Sequence, residues 1–401
     1  NAQSKQQDDP DPALTYTLTA GTLIDGIPLT GELTREPGET AGIYAIQQGT
    51  LTAANNPAYA IIFVPANLEI IAPVIIPPPV VVPSSGIWIS AEEIADLPMT
   101  GDPWRLLKAD ADTYWGVPNL SDQEDKANIY TMSKAIVYAR TGIESYRTDV
   151  IEACMQAIGT EAGGRTLALG RNLAAFVIAA DLIGLPPEED AIFRAWLEEV
   201  TNEPMTEGIN LIWTHENRPN NWGTHAGASR AAVAVYLNDR DELDRIAQVF
   251  KGYLGDRNSY AGFKYGDLYW QADPAHPVGI NPKGATIQGH NVDGVLPDDQ
   301  RRAAAGEFTW PPPKENYVYE GLQGALLQAV ILSRAGYDVW NWEDKALLRA
   351  FTWLHDVADF PAEGDDLWQP FIVNHYYGTD FPTPATSRSG KNVARTCWTH
   401  Q

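Results

Sequence analysis

The sequence predicts a mainly α-helical protein preceded by a small all-β module. From Trp88 onward, apolar residues recur at helical spacing in segment after segment. Before residue 72 they alternate with polar residues, and glycines punctuate the runs. Between the two lies APVIIPPPVVVPSSG, whose prolines favour extended polyproline II and mark a joint. The expected organisation is a β module over 1–71, a proline-rich linker over 72–87 and a helical domain over 88–401.

In the β module, Leu14, Tyr16 and Leu18 alternate with Thr15, Thr17 and Thr19, and Tyr59, Ile61 and Phe63 repeat that period of two. Both runs read as strands, with Gly21, Gly26, Gly31, Gly38, Gly42 and Gly49 as turns. In the helical region, one face carries Ile129, Met132, Ile136 and Val137, and another carries Val150, Ile151, Cys154, Met155 and Ile158. The same spacing recurs around Leu173, Phe193, Ile246 and Leu347, and Gly142, Gly159, Gly184 and Gly255 stand where helices stop. Short links between successive helices favour antiparallel hairpins, and a long series of hairpins can curl into an α/α toroid with a cleft at one end. An elongated solenoid is the competing outcome, but no fixed repeat period is present. Residues 256–316 and 368–400 lack helical period and read as loops, which at such length are often functional.

Composition narrows the function. With 52 acidic and 28 basic residues, the net charge of −24 repels nucleic acid and anionic membranes, so neither is an expected partner. A polyanionic substrate fits only where basic residues cluster locally. An acidic surface suits a secreted protein in a marine or saline habitat, where salt screens repulsion beyond about 8 Å. The 13 tryptophans and 17 tyrosines offer faces for stacking on sugars, or equally the rings of a large core. No apolar run reads as long enough to span a bilayer. The opening residues carry no signal-peptide pattern, so any export segment is expected to have been removed. Cys154 and Cys397 are too few for a disulfide scaffold, and a single bridge between them stays open.

The segment Arg218-Pro219-Asn220-Asn221-Trp222-Gly223-Thr224-His225 concentrates the polar chemistry. Asparagine amides can hydrogen-bond a carboxylate, and an imidazole can move a proton, which together suit a uronic acid. Downstream stand Arg301, Arg302, Tyr317 and Tyr319. Arg165 and Arg171 could line an anionic cleft, and Tyr265, Trp270, His290 and Trp310 lie in or near the long loops as sugar-contact candidates. Duller readings stand beside these. The asparagines can cap the following helix, His225 can be a hydrogen-bonded core residue, the arginines can pair with Asp298 and Asp299, and the tyrosines can pack in the core. His215-Glu216 and His290 with Asp293 are the only metal-ligand candidates, and their spacing matches no metal motif. No cofactor and no catalytic metal are expected, and a structural ion stays open.

The N-terminal wording, DPALTYTLTAGTLIDGIPLTGELTREPGETAGIYAIQQGTLTAANNPAYAIIF, resembles the MBG-type repeat modules of large bacterial surface proteins. That resemblance implies export to the cell surface or medium of a bacterium. The helical region resembles the alginate lyase superfamily of polysaccharide lyases, which use incomplete α/α toroids. The resemblance rests on Asn220 to His225, on GVLPDDQRR followed by NYVYEGLQGALLQAVILSRAGYDVW, and on FIVNHYYGTDFP with GKNVARTCWTH. It implies a lyase acting on a polyuronate, mannuronate-rich alginate first and polyglucuronate as the close alternative. The chain departs from the commoner pattern at Trp222, which occupies the place of a histidine, with His225 three residues later. It departs again at the insertion GEFTWPPPKEN.

β-Elimination makes demands that these residues can meet. Donors must neutralise the carboxylate and stabilise the enolate-like dianion, a base must take the C5 proton, and an acid must protonate O4. Asn221 with Arg302 or Arg301 is the expected neutraliser. Tyr317 is the expected acid, with Tyr319 second, and His225 positions the phenol, deprotonates it or acts as base. Asn220, Trp222, Arg165, Arg171, Arg301, Tyr265, Trp270, His290 and Trp310 are the expected substrate contacts. Two other classes compete. A glycoside hydrolase would need two carboxylates across the scissile bond, drawn from Asp293, Glu307 or Glu320, and a non-catalytic polysaccharide-binding protein would need neither acid nor base.

Overall fold

The computed structural model describes residues 1–7, 10–71, 86–303 and 307–401. The chain divides into two compact units, Asn1–Val80 and Val81–Gln401. The expected linker lies outside the described residues except for Gly86 and Ile87.

The first unit holds a four-stranded sheet of β1 (Gln3–Gln6), β2 (Thr34–Arg35), β3 (Gly42–Gln47) and β4 (Ala66–Ile71), in the order β1-β4-β3-β2. β1 runs parallel to β4, and the other pairings are antiparallel. Ile46, Leu51, Leu68 and Ile70 form its buried face. The two alternating runs expected as strands carry no regular secondary structure and join no ladder among the described residues. Tyr16 and Leu18 are about half exposed. Their period of two suits a strand, but a strand needs a partner as well.

The second unit is helical. It comprises α1 (Ala91–Ala95), α2 (Gly101–Asp112), α3 (Ala127–Thr141), α4 (Glu144–Ala157), α5 (Thr166–Ile183), α6 (Pro187–Val200), α7 (Leu211–Asn217), α8 (Asn221–Leu237), α9 (Arg240–Leu254), α10 (Pro297–Gln300), α11 (Tyr317–Arg334), α12 (Trp342–Thr352), α13 (Gln369–Tyr377) and α14 (Thr396–Thr399). Residues 256–316 are irregular apart from α10 and a two-residue hairpin, β5 (Thr286–Ile287) with β6 (His290–Asn291). Residues 368–400 depart from the expected loop. Pro370 in the first turn of α13 and Gly378 in the left-handed conformation at its end bound a helix too short to show a period.

Helices α3, α5, α8 and α11 contact one another in that order, with α4, α6, α9 and α12 packed outside them. Successive contacts fix their direction. Gly170 and Ala174 of α5 meet Ala226 and Ser229 of α8, and residues 225 and 227 of α8 meet 324 and 328 of α11. α5, α8 and α11 are therefore parallel and start at the same end. Their axes approach closely because the contacts are glycines: a Cβ at Gly170 would lie 2.9 Å from the Ala226 nitrogen, and one at Gly324 would meet the His225 backbone. α5 is, against the sequence expectation, long and apolar enough to cross a membrane, yet 89% of that window is buried inside this unit. Cys154 and Cys397 are both buried and unbridged.

Candidate active site

The parallel inner helices bring their first turns to one end of the helical unit. The unpaired N–H groups and dipoles of helix starts favour negative charge there. Asn220 is the cap of α8: its side-chain oxygen accepts from the Trp222 N–H at 3.1 Å, and its amide donates to Asp298 at 2.7 Å. The capping role therefore belongs to Asn220 alone. Asn221, the next residue, is fully buried. Its backbone N–H donates to Asp299 at 3.2 Å, and its side-chain oxygen accepts from Arg302 at 3.1 Å. Its Nδ2 has no partner among the described residues. A buried amide donor without an acceptor is costly unless something else supplies one.

The two arginines after α10 behave differently. Arg301 is bound to Asp298 at 2.7 Å, with Asp267 at 3.9 Å. Arg302 makes no ion pair among the described residues; its hydrogen bond goes to the neutral Asn221. Asp299 lies close enough to feel Arg302 but makes no ion pair with it. Burial foremost, with Asp298 and Glu320 nearby, pushes the Asp299 carboxyl well above the usual range, against the pull of Arg302. The Arg302 guanidinium lies 4.4 Å from the centre of the Tyr317 ring. Tyr317 opens α11 as Asn221 opens α8, is 43% exposed, and its phenol oxygen makes no hydrogen bond among the described residues. An amide donor, an uncompensated guanidinium and an open phenol thus stand side by side.

Other expected contributors lie elsewhere. Tyr319 points into the core, where its hydroxyl donates to the Phe360 carbonyl at 2.5 Å and its ring packs against Phe351 and Phe360. The i, i+2 spacing from Tyr317 turns it to another side of the helix. His225 is wholly buried one turn below Asn221, held between α5 and α11, with Nδ1 3.4 Å from the Asn392 amide. Burial foremost, then Arg171 and Lys391, holds this imidazole neutral. The His225 ring has no exposed surface, as Asn221 has none, and its Nε2, like the Asn221 Nδ2, is buried without a partner among the described residues. What separates the two is that Asn221 touches Arg302 and His225 lies one turn deeper. Arg171 is buried and paired with Glu320 and Glu124, and Glu320 is also paired with Lys391. Trp270 is buried against Phe308, and Tyr265 is mostly buried beside Phe263. Trp310 and His290 remain accessible as a stack 4.4 Å apart. Trp222 offers no stacking face, because Arg165 and Arg218 lie 4.7 and 4.3 Å from its ring centre and leave it 8% exposed.

The metal-ligand candidates are otherwise engaged. Glu216 holds Arg230 and Arg245, His215 contacts Arg230 and Gln328, and Asp293 holds Arg349. Among the described residues, no group of three or more His, Cys, Asp or Glu could hold a metal ion.

Sequence reasoning missed the polar layer under the site. Asn392 contacts His225 and the Gln323 carbonyl, and Gln323 donates to Asp366, which also accepts from Gln369. A cleft of about 450 Å³ lined by Lys126, Arg388, Lys391 and Arg395 opens beside Glu124 and Asp365. Gln323, Lys391, Asn392 and Arg395 lie inside segments that carry the family resemblance, but spacing gives them no role, since helix and loop segments far apart in sequence bring them together. Burial foremost, then Asp365, pushes the Asp366 carboxyl up to about 7. A folded-state value raised above the ordinary 3.8 means stability that is full below that value and lost as pH rises toward 7. Asp366→Asn keeps an acceptor for both glutamines, so its melting temperature should change less than that of the parent between pH 4 and 7. Parallel melting curves across that window would show the carboxyl to be ordinary.

A helical unit that gathers buried amides, guanidinium groups and a phenol at its helix starts has the groups needed to hold an anion and to move a proton beside it. Residues 130–259 match the family model described as alginate lyase, and residues 1–69 match the MBG domain (YGX type). No curated protein matches the chain. The chain carries an alginate lyase-family domain over residues 130–259 and an MBG module over residues 1–69, and the first is the domain of a polysaccharide lyase. The matched segment contains Asn220, Asn221 and His225 and ends before Arg302 and Tyr317, which join the site through geometry.

Proposed function

We propose that the protein cleaves a polyuronate, mannuronate-rich alginate before others, by β-elimination at C4–C5. The unpartnered Nδ2 of Asn221 beside Arg302 carries this reading. The carboxylate of the reacting sugar accepts from Asn221 Nδ2 and lies against Arg302, so the charge that builds on it when C5 loses its proton is met by donors already in place. Tyr317, as its phenolate, takes the C5 proton. The C5–H electron pair becomes the C4–C5 double bond, the C4–O4 bond breaks, and the phenol returns the proton to O4. In mannuronate the C5 hydrogen and O4 lie on the same side, so one residue can serve both. Glucuronate differs at C2 alone and shares that geometry, and polyglucuronate is the second substrate. The reading includes export from a bacterial cell, in keeping with the MBG module.

The hydrolase reading fits less well. Glu320 sits between two cations and Asp293 is bound to Arg349, so neither stands opposite a second free carboxylate. A panel of mannuronate blocks, guluronate blocks, polyglucuronate and hyaluronan, followed by the ultraviolet absorbance of unsaturated uronate, tests the proposal. Mannuronate blocks should react fastest. A preference for guluronate, whose C5 hydrogen lies on the other side, would contradict the single-phenol route, and binding of mannuronate blocks without turnover would favour the non-catalytic class.

A further inference from the structure

Beside Asn221 the chain has an arginine pair that the proposed chemistry does not use. Arg218 precedes the asparagines, and its guanidinium lies 4.3 Å from the centre of the Trp222 ring. Arg165, the residue before α5, lies 4.7 Å from the same ring. Its one ion pair is with Glu207 at 3.4 Å, and its side chain is 60% exposed. Arg218 has no ion pair or side-chain hydrogen bond among the described residues. Its position is nevertheless fixed: its carbonyl packs where a Cβ on Gly223 would stand, so the first turn of α8 closes directly against it. The indole lies against both guanidinium groups; the Arg218 N–H groups have no hydrogen-bond partner among the described residues, and Arg165 gives its Nε to Glu207 and keeps its terminal N–H groups for another partner.

This placement is odd for a protein of net charge −24. Burial foremost, then Arg165 and Arg302, disfavours the charge on Arg218, while Glu207 and Asp298 favour it, and Arg165 with Glu207 is the one ion pair these three arginines make among the described residues. Two guanidinium groups on one ring with a third nearby and a single ion pair among them repel one another in the free protein. They are relieved when an anion binds, and a guanidinium edge fits a carboxylate with two parallel hydrogen bonds. In a polyuronate every ring carries a carboxylate, so a chain whose reacting ring lies on Asn221 and Arg302 brings the next carboxylate along with it. Trp222, at the place where the commoner family pattern has a histidine, is what organises the pair.

We propose that Arg218 and Arg165, held on Trp222, form a second carboxylate-binding position that takes the uronate next to the reacting one. This rests on the polyuronate reading above. It makes tight binding depend on at least two consecutive acidic rings.

The test uses the full chain and a saturated mannuronate tetramer. Arg218→Ala should raise KM about tenfold or more, the worth of a charge-assisted bond, with kcat within about twofold. Arg218→Lys should recover part of the loss. Arg165→Ala, at an exposed side chain that folding does not need, should raise KM in the same direction. The lyase reading is judged separately, by whether the parent protein generates unsaturated uronate from polymannuronate at all. If it does and both alanine variants keep the parental KM, the second position is wrong and the lyase reading stands. A fall in kcat with KM unchanged would place Arg218 in the chemistry and also overturn the proposal. If the parent gives no product, the dissociation constant of the same tetramer by calorimetry decides: weaker binding in both alanine variants supports the position, and unchanged binding overturns it.

Discussion

Replacing Tyr317 by phenylalanine should lower kcat by about 10²–10⁴-fold, the usual worth of a positioned acid–base group, while binding of a mannuronate oligomer stays within about twofold. The phenol oxygen has no hydrogen bond among the described residues and the ring is half exposed, so the fold has nothing to lose with it. The phenyl ring can still lie under Arg302. Tyr319→Phe is the matched control. It removes the bond to the Phe360 carbonyl in the core and should cost about 1 kcal/mol of stability, with turnover kept. Initial rates and melting curves on the two variants separate the roles. Full turnover in Tyr317→Phe, or its loss in Tyr319→Phe alone, would reverse the assignment.

Asn221→Ala should reduce kcat by about 10²–10³-fold, as removal of one preorganised donor at a developing negative charge does. Its cost to the fold should be small. The backbone N–H of residue 221 still donates to Asp299, and the cap of α8 belongs to Asn220. Asn220→Ala should show the opposite balance. It loses the cap, worth about 1 kcal/mol, and leaves the buried Asp298 without one of its donors. Thermal unfolding of the pair, read beside kcat, distinguishes the donor from the cap. A large stability loss with normal turnover in Asn221→Ala would make it a structural residue.

The helical body was legible in the sequence where a helix keeps an outer polar face, as α9 does beside its apolar stripe of Leu243, Ile246, Phe250 and Leu254, whereas α8 is buried on nearly every side and shows no period. The alternating runs at 14–18 and 59–63 read as strands and form none among the described residues, because alternation carries no information on partners. In the site, Asn221, Arg302 and Tyr317 could be picked out from motifs, and the structure brings those three together. Spacing misled at His225 and Tyr319. Residues 221 and 225 lie one turn apart on a helix and both are fully buried, but only the first meets Arg302, because glycines at 170 and 324 draw the neighbouring helices over the second. Nor does sequence say which of two adjacent arginines is free. Arg301 is fixed by the Asp298 carboxylate three residues earlier, and Arg302 makes no ion pair among the described residues and bonds to Asn221 instead.

The amide, guanidinium and phenol at the helix starts are assigned one reaction, the loss of a C5 proton coupled to departure of O4. Counting products on polymannuronate bears on it without any substitution. Reducing ends and unsaturated uronate, measured in the same reaction, should rise together, one for one. New reducing ends with no ultraviolet absorbance would show that water breaks the chain, and the roles given to Asn221, Arg302 and Tyr317 would fail.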